Sequence, residues 1–168
     1  GIMDVPPRRR GERLLNRRLI MLAYLWYGMM ESLLSLGGYF LANIVHGWPS
    51  VGTLASSGMV YHEATTMALA SIVFCQIGVV LCARTETASV FKNSIFKNRT
   101  ILLGIAFELL LILSFMYVPF MNEFLQTAPI GGVEWIYLIM CPILIISLDE
   151  IRKLIVRRNM RNKKGETR

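Results

Sequence analysis

The fold is decided by the stretch from Thr100 to Glu150, TILLGIAFELLLILSFMYVPFMNEFLQTAPIGGVEWIYLIMCPILIISLDE, which contains neither Lys nor Arg. A second stretch without Lys or Arg runs from Leu19 to Ala83. A helix needs about 20 mostly apolar residues to cross a membrane, so each stretch can hold two crossings with a turn between them. We therefore predict an all-α integral membrane bundle of four transmembrane helices, at about 19–45, 64–83, 101–118 and 132–156.

The composition of the chain excludes other classes of protein. Of the 168 residues, 54% are hydrophobic and 17% are charged, whereas an ordinary soluble domain has roughly 25% charged residues. Hydrophobicity this high excludes a disordered chain and argues against a soluble globule. A net charge of +7 is compatible with nucleic-acid binding. The placement of the basic residues instead predicts that the partner is the lipid bilayer and that no nucleic acid is bound.

The 18 basic residues lie in three blocks, which set the predicted topology. The blocks run from Arg8 to Arg18, from Arg84 to Arg99 and from Arg152 to Arg168. Because basic loops stay on the cytoplasmic side, we expect both termini to be cytoplasmic. We also expect the membrane to be the plasma membrane. The predicted parts are a basic cytoplasmic N-terminal segment (1–18), a transmembrane domain (19–156) whose last helix continues past the membrane, and a basic cytoplasmic tail (157–168).

Glu31 lies near the middle of the first crossing, where a carboxylate costs about 2.5–3.5 kcal/mol on insertion scales. Small and polar residues share its predicted helical face: Tyr24, Tyr27, Gly28, Ser35 and Gly38. This stripe predicts that Glu31 faces protein or water rather than lipid. Two roles fit it, an ion or proton ligand and a structural hydrogen bond to a neighbouring helix.

Glu108 lies in the third crossing, where four apolar residues follow it and Gly104 is its one small neighbour a turn earlier. This helix cannot shield the carboxyl, so its partner must come from another helix, inside or outside this chain. A transport-related carboxyl and a neutral structural carboxyl both fit.

The second crossing carries a stripe of small residues, which predicts close packing between helices. Its members are Ala64, Ala68, Ser71, Cys75, Gly78 and Cys82. Gln76 lies beside this stripe, where its amide oxygen could coordinate a cation or bond across to another helix.

No catalytic motif of soluble enzymes and no paired metal-ligand motif occurs in the sequence. His46 and His62 fall in the predicted outer link, where we expect them to be solvated. A cytoplasmic motif at the inner end of the fourth helix predicts an ion-pair network, which contributes little if it is exposed. The motif consists of Asp149, Glu150, Arg152 and Lys153.

Several pieces of the chain, in order, resemble the last four of the ten transmembrane helices of P-type cation pumps. The most specific piece is the run from Asp149 to Asn159, which is similar to the end of the tenth helix in the sodium/potassium and proton/potassium branch. The other pieces are the following: Val5-Pro6-Pro7-Arg8 with Glu12, Gly37-Gly38-Tyr39-Phe40, Gln76, and Phe107-Glu108 with Tyr117-Val118-Pro119.

The resemblance implies an ATP-driven pump whose phosphorylated aspartate, in an Asp-Lys-Thr-Gly motif, and whose ATP-binding domain are missing here. ATP and Mg are implied for the complete pump and no cofactor for this chain, which would be a fragment, a split subunit or a separate domain unable to hydrolyse ATP alone. Its implied partners are the remaining helices and cytoplasmic domains and a monovalent or divalent cation. Glu108 and Gln76 match cation-site residues of the family, while Val79 stands where the sodium pump has an Asp.

Two functions are therefore expected from different classes. The first is the C-terminal membrane part of a cation pump, which scaffolds the ion-translocating helices and contributes side chains to cation sites. The alternative is an independent four-helix membrane protein, such as a small proton-coupled exporter that uses Glu31 as its proton carrier.

Overall fold

The computed structural model describes residues 17–84, 89–90 and 98–166, and within them every regular element is helical. The first helix is the only compound one among these elements. It begins as the α-helix Arg17–Met21, widens into the π-helix Leu22–Tyr27 and continues as the α-helix Gly28–Val45. The remaining helices are Gly58–Ala83, Arg99–Tyr117, Pro119–Leu125 and Gly132–Glu166. The Pro6-Pro7-Arg8 motif and most of the predicted N-terminal segment lie outside the described residues.

Four of these helices are long and apolar enough to cross a membrane, which confirms the prediction of four spans in the described chain. We number them span 1 (Leu19–Val45), span 2 (Gly58–Ala83), span 3 (Arg99–Tyr117) and span 4 (Gly132–Met160). Span 2 begins at Gly58 rather than near Ala64, because the polar turn with His62 and Glu63 is already helical. The span 4 helix continues to Glu166, through part of the predicted basic tail.

Span 2 lies at the centre of the structure, between span 1 and span 4. Its small-residue stripe forms the core contact, as predicted: Ala64, Ser71, Cys75, Gly78 and Cys82 are buried. A Cβ atom added at Gly78 would lie 3.1 Å from both the Cα and the carbonyl oxygen of Pro142. Only a glycine therefore allows spans 2 and 4 to approach this closely, which is the packing that small residues provide between membrane helices.

Span 3 is peripheral. Asn98 caps its first turn by accepting hydrogen bonds from the backbone N–H groups of Thr100 and Ile101, at 3.1 and 3.4 Å. Of its own side chains, only Ile112 and Met116 are buried. Span 3 therefore leaves most of its apolar surface for lipid or for protein outside this chain.

The link after span 3 connects spans 2 and 3 through two hydrogen bonds. The Thr127 hydroxyl donates a hydrogen bond of 2.5 Å to the carbonyl oxygen of Phe115. The next backbone N–H, of Ala128, donates to the hydroxyl oxygen of Thr66 at 2.9 Å. At the same end, Trp135 Nε1 donates to the Tyr117 hydroxyl at 3.1 Å, so spans 3 and 4 also meet there.

Candidate cation site and buried ion-pair cluster

Glu31 lies half-buried on the face of span 1 that packs against the rest of the structure. One turn before Glu31, Tyr27 is buried. One turn after Glu31, the Ser35 hydroxyl donates to the carbonyl oxygen of Ala68 at 3.0 Å. Gly38 continues this face, where an added Cβ atom would lie 3.1 Å from the carbonyl oxygen of Met67. The inward face predicted around Glu31 therefore exists from Tyr27 to Gly38.

Tyr24 was expected on the same face, and this expectation is wrong. Its side chain is 78% exposed. The reason is the π-helix Leu22–Tyr27, in which the Gly28 N–H bonds to the carbonyl oxygen of Ala23, five residues back. The wider turn shifts the register by about one residue, so a residue seven positions before Glu31 no longer shares its face.

Glu31 on span 1 and Glu108 on span 3 are close enough for the charge of one to act on the other. Glu108, like Glu31, is half-buried. Within the described part of the chain, neither carboxyl has a hydrogen-bond partner. The pair therefore has oxygen atoms free for a ligand or for groups from outside this chain.

Gln76 is not gathered into this pair. Its side chain is exposed on span 2, whereas its neighbour Cys75 is buried in the small-residue stripe. Among residues 17–84, 89–90 and 98–166, no group of three or more His, Cys, Asp or Glu side chains could hold a metal ion. Glu31 and Glu108 are thus part of a site at most, and other ligands would have to complete it.

The predicted cytoplasmic motif forms a buried cluster around Asp149. The Arg152 Nε–H donates to Asp149 Oδ1 at 2.7 Å, and the Lys153 Nζ lies 2.9 Å from Asp149 Oδ2. The side chains of Asp149 and Lys153 are fully buried. The sequence predicted an ion-pair network that contributes little if it is exposed; the network exists and is buried, and burial removes the solvent screening that makes surface ion pairs weak.

The cluster connects three spans. The Tyr27 hydroxyl donates to Asp149 Oδ1 at 2.9 Å, from span 1 to span 4. The Lys153 ammonium also donates to the carbonyl oxygen of Cys82, the last turn of span 2, at 2.9 Å. Sequence reasoning placed Tyr27 beside Glu31 but gave no signal that it would reach Asp149, more than a hundred residues away.

Glu150 extends the cluster toward the loop after span 2. Its Oε1 accepts a hydrogen bond of 2.6 Å from the backbone N–H of Val90. Its Oε2 lies 3.6 Å from the Arg157 guanidinium. The four motif residues thus hold the inner ends of the helices and part of the loop after span 2.

At the opposite end of the spans, His46 and Glu63 form a hydrogen-bond contact, with 2.7 Å between Nε2 and Oε2. His46 was expected to be solvated, and its side chain is exposed as well as in contact with Glu63. Glu63 is 8% exposed because it lies in the first turns of span 2 rather than in a link. The contact joins the end of span 1 to the start of span 2.

The family is decided by a match over most of the chain. Residues 1–155 match the family model described as "Cation transporting ATPase, C-terminus". The chain belongs to this family of P-type cation pumps. The Glu31–Glu108 pair and the Asp149 cluster therefore lie in the C-terminal membrane region of such a pump, and the independent exporter is not favoured.

Named relatives agree with this assignment. The chain is 30% identical to the potassium-transporting ATPase alpha chain 1 of Xenopus laevis and 31% identical to the sodium/potassium-transporting ATPase subunit alpha-3 of Gallus gallus. It is 26% identical to the calcium-transporting ATPase 1 of Saccharomyces cerevisiae. Each match covers 94% of this chain but only 15–18% of the relative, so the chain spans less than a fifth of the length of these proteins.

Proposed function

We propose that this chain scaffolds the ion-translocating helices of a P-type cation pump and contributes carboxyl groups to a cation site. The proposal rests on one observation above the others: in a chain of this family, two carboxyls within the spans, Glu31 and Glu108, lie within electrostatic range of each other and have no hydrogen-bond partner among the described residues. Gln76, which is exposed on span 2 away from this pair, is available as an amide ligand to helices outside this chain.

The chemistry of such a site follows from the cost of charge in a membrane. A carboxylate must lose its proton, and the cation must lose water, before the two can bind. Two carboxyls close together favour a cation between them, because the cation offsets their mutual repulsion. Alternating access then requires that the complete pump change the surroundings of these groups during its cycle.

The Asp149 cluster has a different role in this proposal. It lies at the end of the spans that carries the basic blocks, which is the cytoplasmic end by the distribution of Lys and Arg. We infer from this distribution that both termini are cytoplasmic and that the Glu63 end faces outward, and we propose that the membrane is the plasma membrane. The cluster holds the inner ends of spans 1, 2 and 4 together while other helices move.

ATP and Mg would supply phosphoryl transfer to the complete pump, and they would bind in parts that lie outside this chain. No residue described here is assigned to either. The partners of this chain are accordingly the lipid bilayer, the other helices and cytoplasmic domains of the pump, and a monovalent or divalent cation.

The test uses the complete pump carrying this chain. The double variant Glu31→Gln/Glu108→Gln should raise the cation concentration that gives half-maximal ATPase stimulation. Glu123→Gln is the matched control, because Glu123 is an exposed carboxyl on the outer link. If the double variant titrates like the control and like the unmodified pump, the carboxyl pair does not bind the transported cation.

A further inference from the structure

The short helix Pro119–Leu125, which we call the link helix, carries two exposed phenylalanines. Phe120 is 71% exposed and Phe124 is 75% exposed. Because residues four apart in the sequence lie on the same face of a helix, the two rings form one apolar patch. Exposed apolar patches mark contacts with protein or with membrane. The depth of the link helix relative to the spans decides which of the two this patch fits.

The link helix begins where span 3 ends. Span 3 ends at Tyr117, and Val118 alone separates it from Pro119, the first residue of the link helix. The link helix has seven residues, which at about 1.5 Å each give a length of about 10 Å. It therefore starts at the edge of the membrane and is too short to carry the chain far from it.

Two hydrogen bonds hold the link helix at the level of the last turn of span 3. The side-chain amide of Asn122, in the middle of the link helix, donates to the carbonyl oxygen of Met116 at 3.0 Å. The Thr127 hydroxyl, just beyond the end of the link helix, donates to the carbonyl oxygen of Phe115. Both acceptors belong to span 3 itself. The chain thus returns to the depth at which span 3 ends instead of extending into water.

The neighbouring spans place the same level at the membrane boundary. The Ala128 N–H donates to the hydroxyl of Thr66, which lies eight residues after the first residue of span 2. Trp135, in the first turn of span 4, donates its Nε1–H to the Tyr117 hydroxyl at 3.1 Å. Trp and Tyr are enriched at both membrane–water interfaces. The link helix therefore lies in the interfacial layer, beside the ends of three spans.

The link helix is apolar on one half of its circumference and polar on the other. With about 100° between consecutive residues, the apolar half consists of Phe120, Met121, Phe124 and Leu125. Met121 and Leu125 are partly buried, so the two exposed rings continue an apolar surface that begins inside the protein. Asn122 and the exposed Glu123 lie on the opposite half. Such a helix fits the boundary between acyl chains and head groups, where one half is immersed and the other stays hydrated.

From these contacts we propose that the link helix is an interfacial anchor, whose Phe120 and Phe124 rings insert between the lipids of the leaflet at the Glu63 end of the spans. Lipid fits this surface because acyl chains cover the rings while water and head groups solvate Glu123. The stretch from Thr100 to Glu150 contains no basic residue. The anchor therefore depends on burial of the two rings and not on attraction to anionic head groups. It is independent of the proposed cation site.

The test measures what each side of the link helix touches in the complete pump, reconstituted in nanodiscs of phosphatidylcholine. A cysteine replaces Phe120, Phe124 or Glu123 in turn and carries a nitroxide spin label. Collisions of the label are measured with oxygen, which concentrates among acyl chains, and with a water-soluble nickel chelate. The ratio of oxygen to nickel collisions should be several-fold higher at positions 120 and 124 than at position 123, the matched control on the opposite half.

Two further controls accompany the collision measurement. The unsubstituted pump, labelled in the same way, gives the background from other cysteines, and ATPase activity shows that each labelled pump is folded. Low collision rates with both reagents at positions 120 and 124 would overturn the proposal, because another protein segment would then cover the rings. A ratio equal to that at position 123 would also overturn it, because the rings would then face water. Adding phosphatidylserine should leave all three ratios unchanged, and a rise would refute an anchor that depends on the rings alone.

A second measurement keeps an aromatic ring in place. The photoreactive residue p-benzoylphenylalanine replaces Phe124, and after illumination the adducts of the pump are identified by mass. The adduct should be phosphatidylcholine, with a yield several-fold higher than that of the same replacement at Glu123. Adducts joined to another segment of the pump, with none to lipid, would show that the patch is a protein contact and would overturn the proposal.

Discussion

The Lys153 ammonium lies 2.9 Å from the Asp149 carboxylate, and neither side chain is exposed. A buried pair of this kind is weak evidence that the pair itself adds stability, because removing both charges from water is costly. Breaking the pair is a different matter, since the remaining charge is then buried without full compensation. The arrangement therefore makes single substitutions in the cluster much more harmful than their conservative character suggests.

Lys153→Met tests this directly. We expect it to lower the free energy of unfolding by about 3 kcal/mol, the low end for a broken buried pair, because Arg152 still contacts Asp149. Arg157→Met is the control on the same helix, where a partly exposed pair with Glu150 should contribute less than about 1 kcal/mol. Thermal and denaturant unfolding of the detergent-solubilised protein would compare the two, and equal effects would contradict the buried pair.

Gly78→Ala should push spans 2 and 4 apart. The added methyl group meets the backbone of Pro142 at 3.1 Å and the Cβ atom of Ile145 at 3.2 Å, and overpacking of this kind costs about 1–3 kcal/mol. Gly104→Ala adds the same group to span 3 with no described atom within 4 Å, so it should be neutral or slightly stabilising. Melting temperatures of the two variants give the answer, and a stabilised Gly78→Ala would show that the spans can separate freely.

Glu108→Gln should weaken cation activation of the complete pump more than Glu31→Gln does. The resemblance of the sequence to the family implies that Glu108 is a cation-site residue, implies no such role for Glu31, and implies one anionic ligand fewer at Val79. The effect should be small, because Gln keeps an oxygen atom and loses only the charge. Cation titrations of ATPase activity compare the two variants. The reverse order, with Glu108→Gln normal and Glu31→Gln crippled, would make Glu108 a structural carboxyl.

The proposed orientation of the spans can be tested by labelling cysteines placed at their two ends. A cysteine replacing Ser57, which is exposed in the outer link, should react with a membrane-impermeant thiol reagent added outside. A cysteine replacing Asn159, exposed beyond the inner cluster, should react only from the cytoplasmic side. The native cysteines at positions 75, 82 and 141 are buried and should add little background. Labelling of the Ser57 position from the cytoplasm alone would invert the topology.

The four spans could be predicted from the sequence because Lys and Arg are costly in lipid, so a long stretch without them marks the membrane-crossing helices. Gaps in the basic residues located all four, and the spacing of small residues located the face of span 2 that carries Gly78. The π-helix was invisible to this reasoning, since a fixed helical period was assumed around Glu31, and so Tyr24 was placed on the wrong face. The burial of Asp149 was also missed, because it depends on Tyr27 and Cys82, which are distant in the sequence.

The Gly132–Glu166 helix has 35 residues, which at about 1.5 Å each gives a length of roughly 50 Å, against about 30 Å for the hydrocarbon layer. The helix is therefore longer than the hydrocarbon layer is thick, and part of it extends beyond that layer. Pro142 lacks the N–H that would form a hydrogen bond to the preceding turn, so the helix bends most easily at this turn. A bend of the helix at Pro142 would displace its far end, near Glu166, by more than it displaces the turns next to the proline.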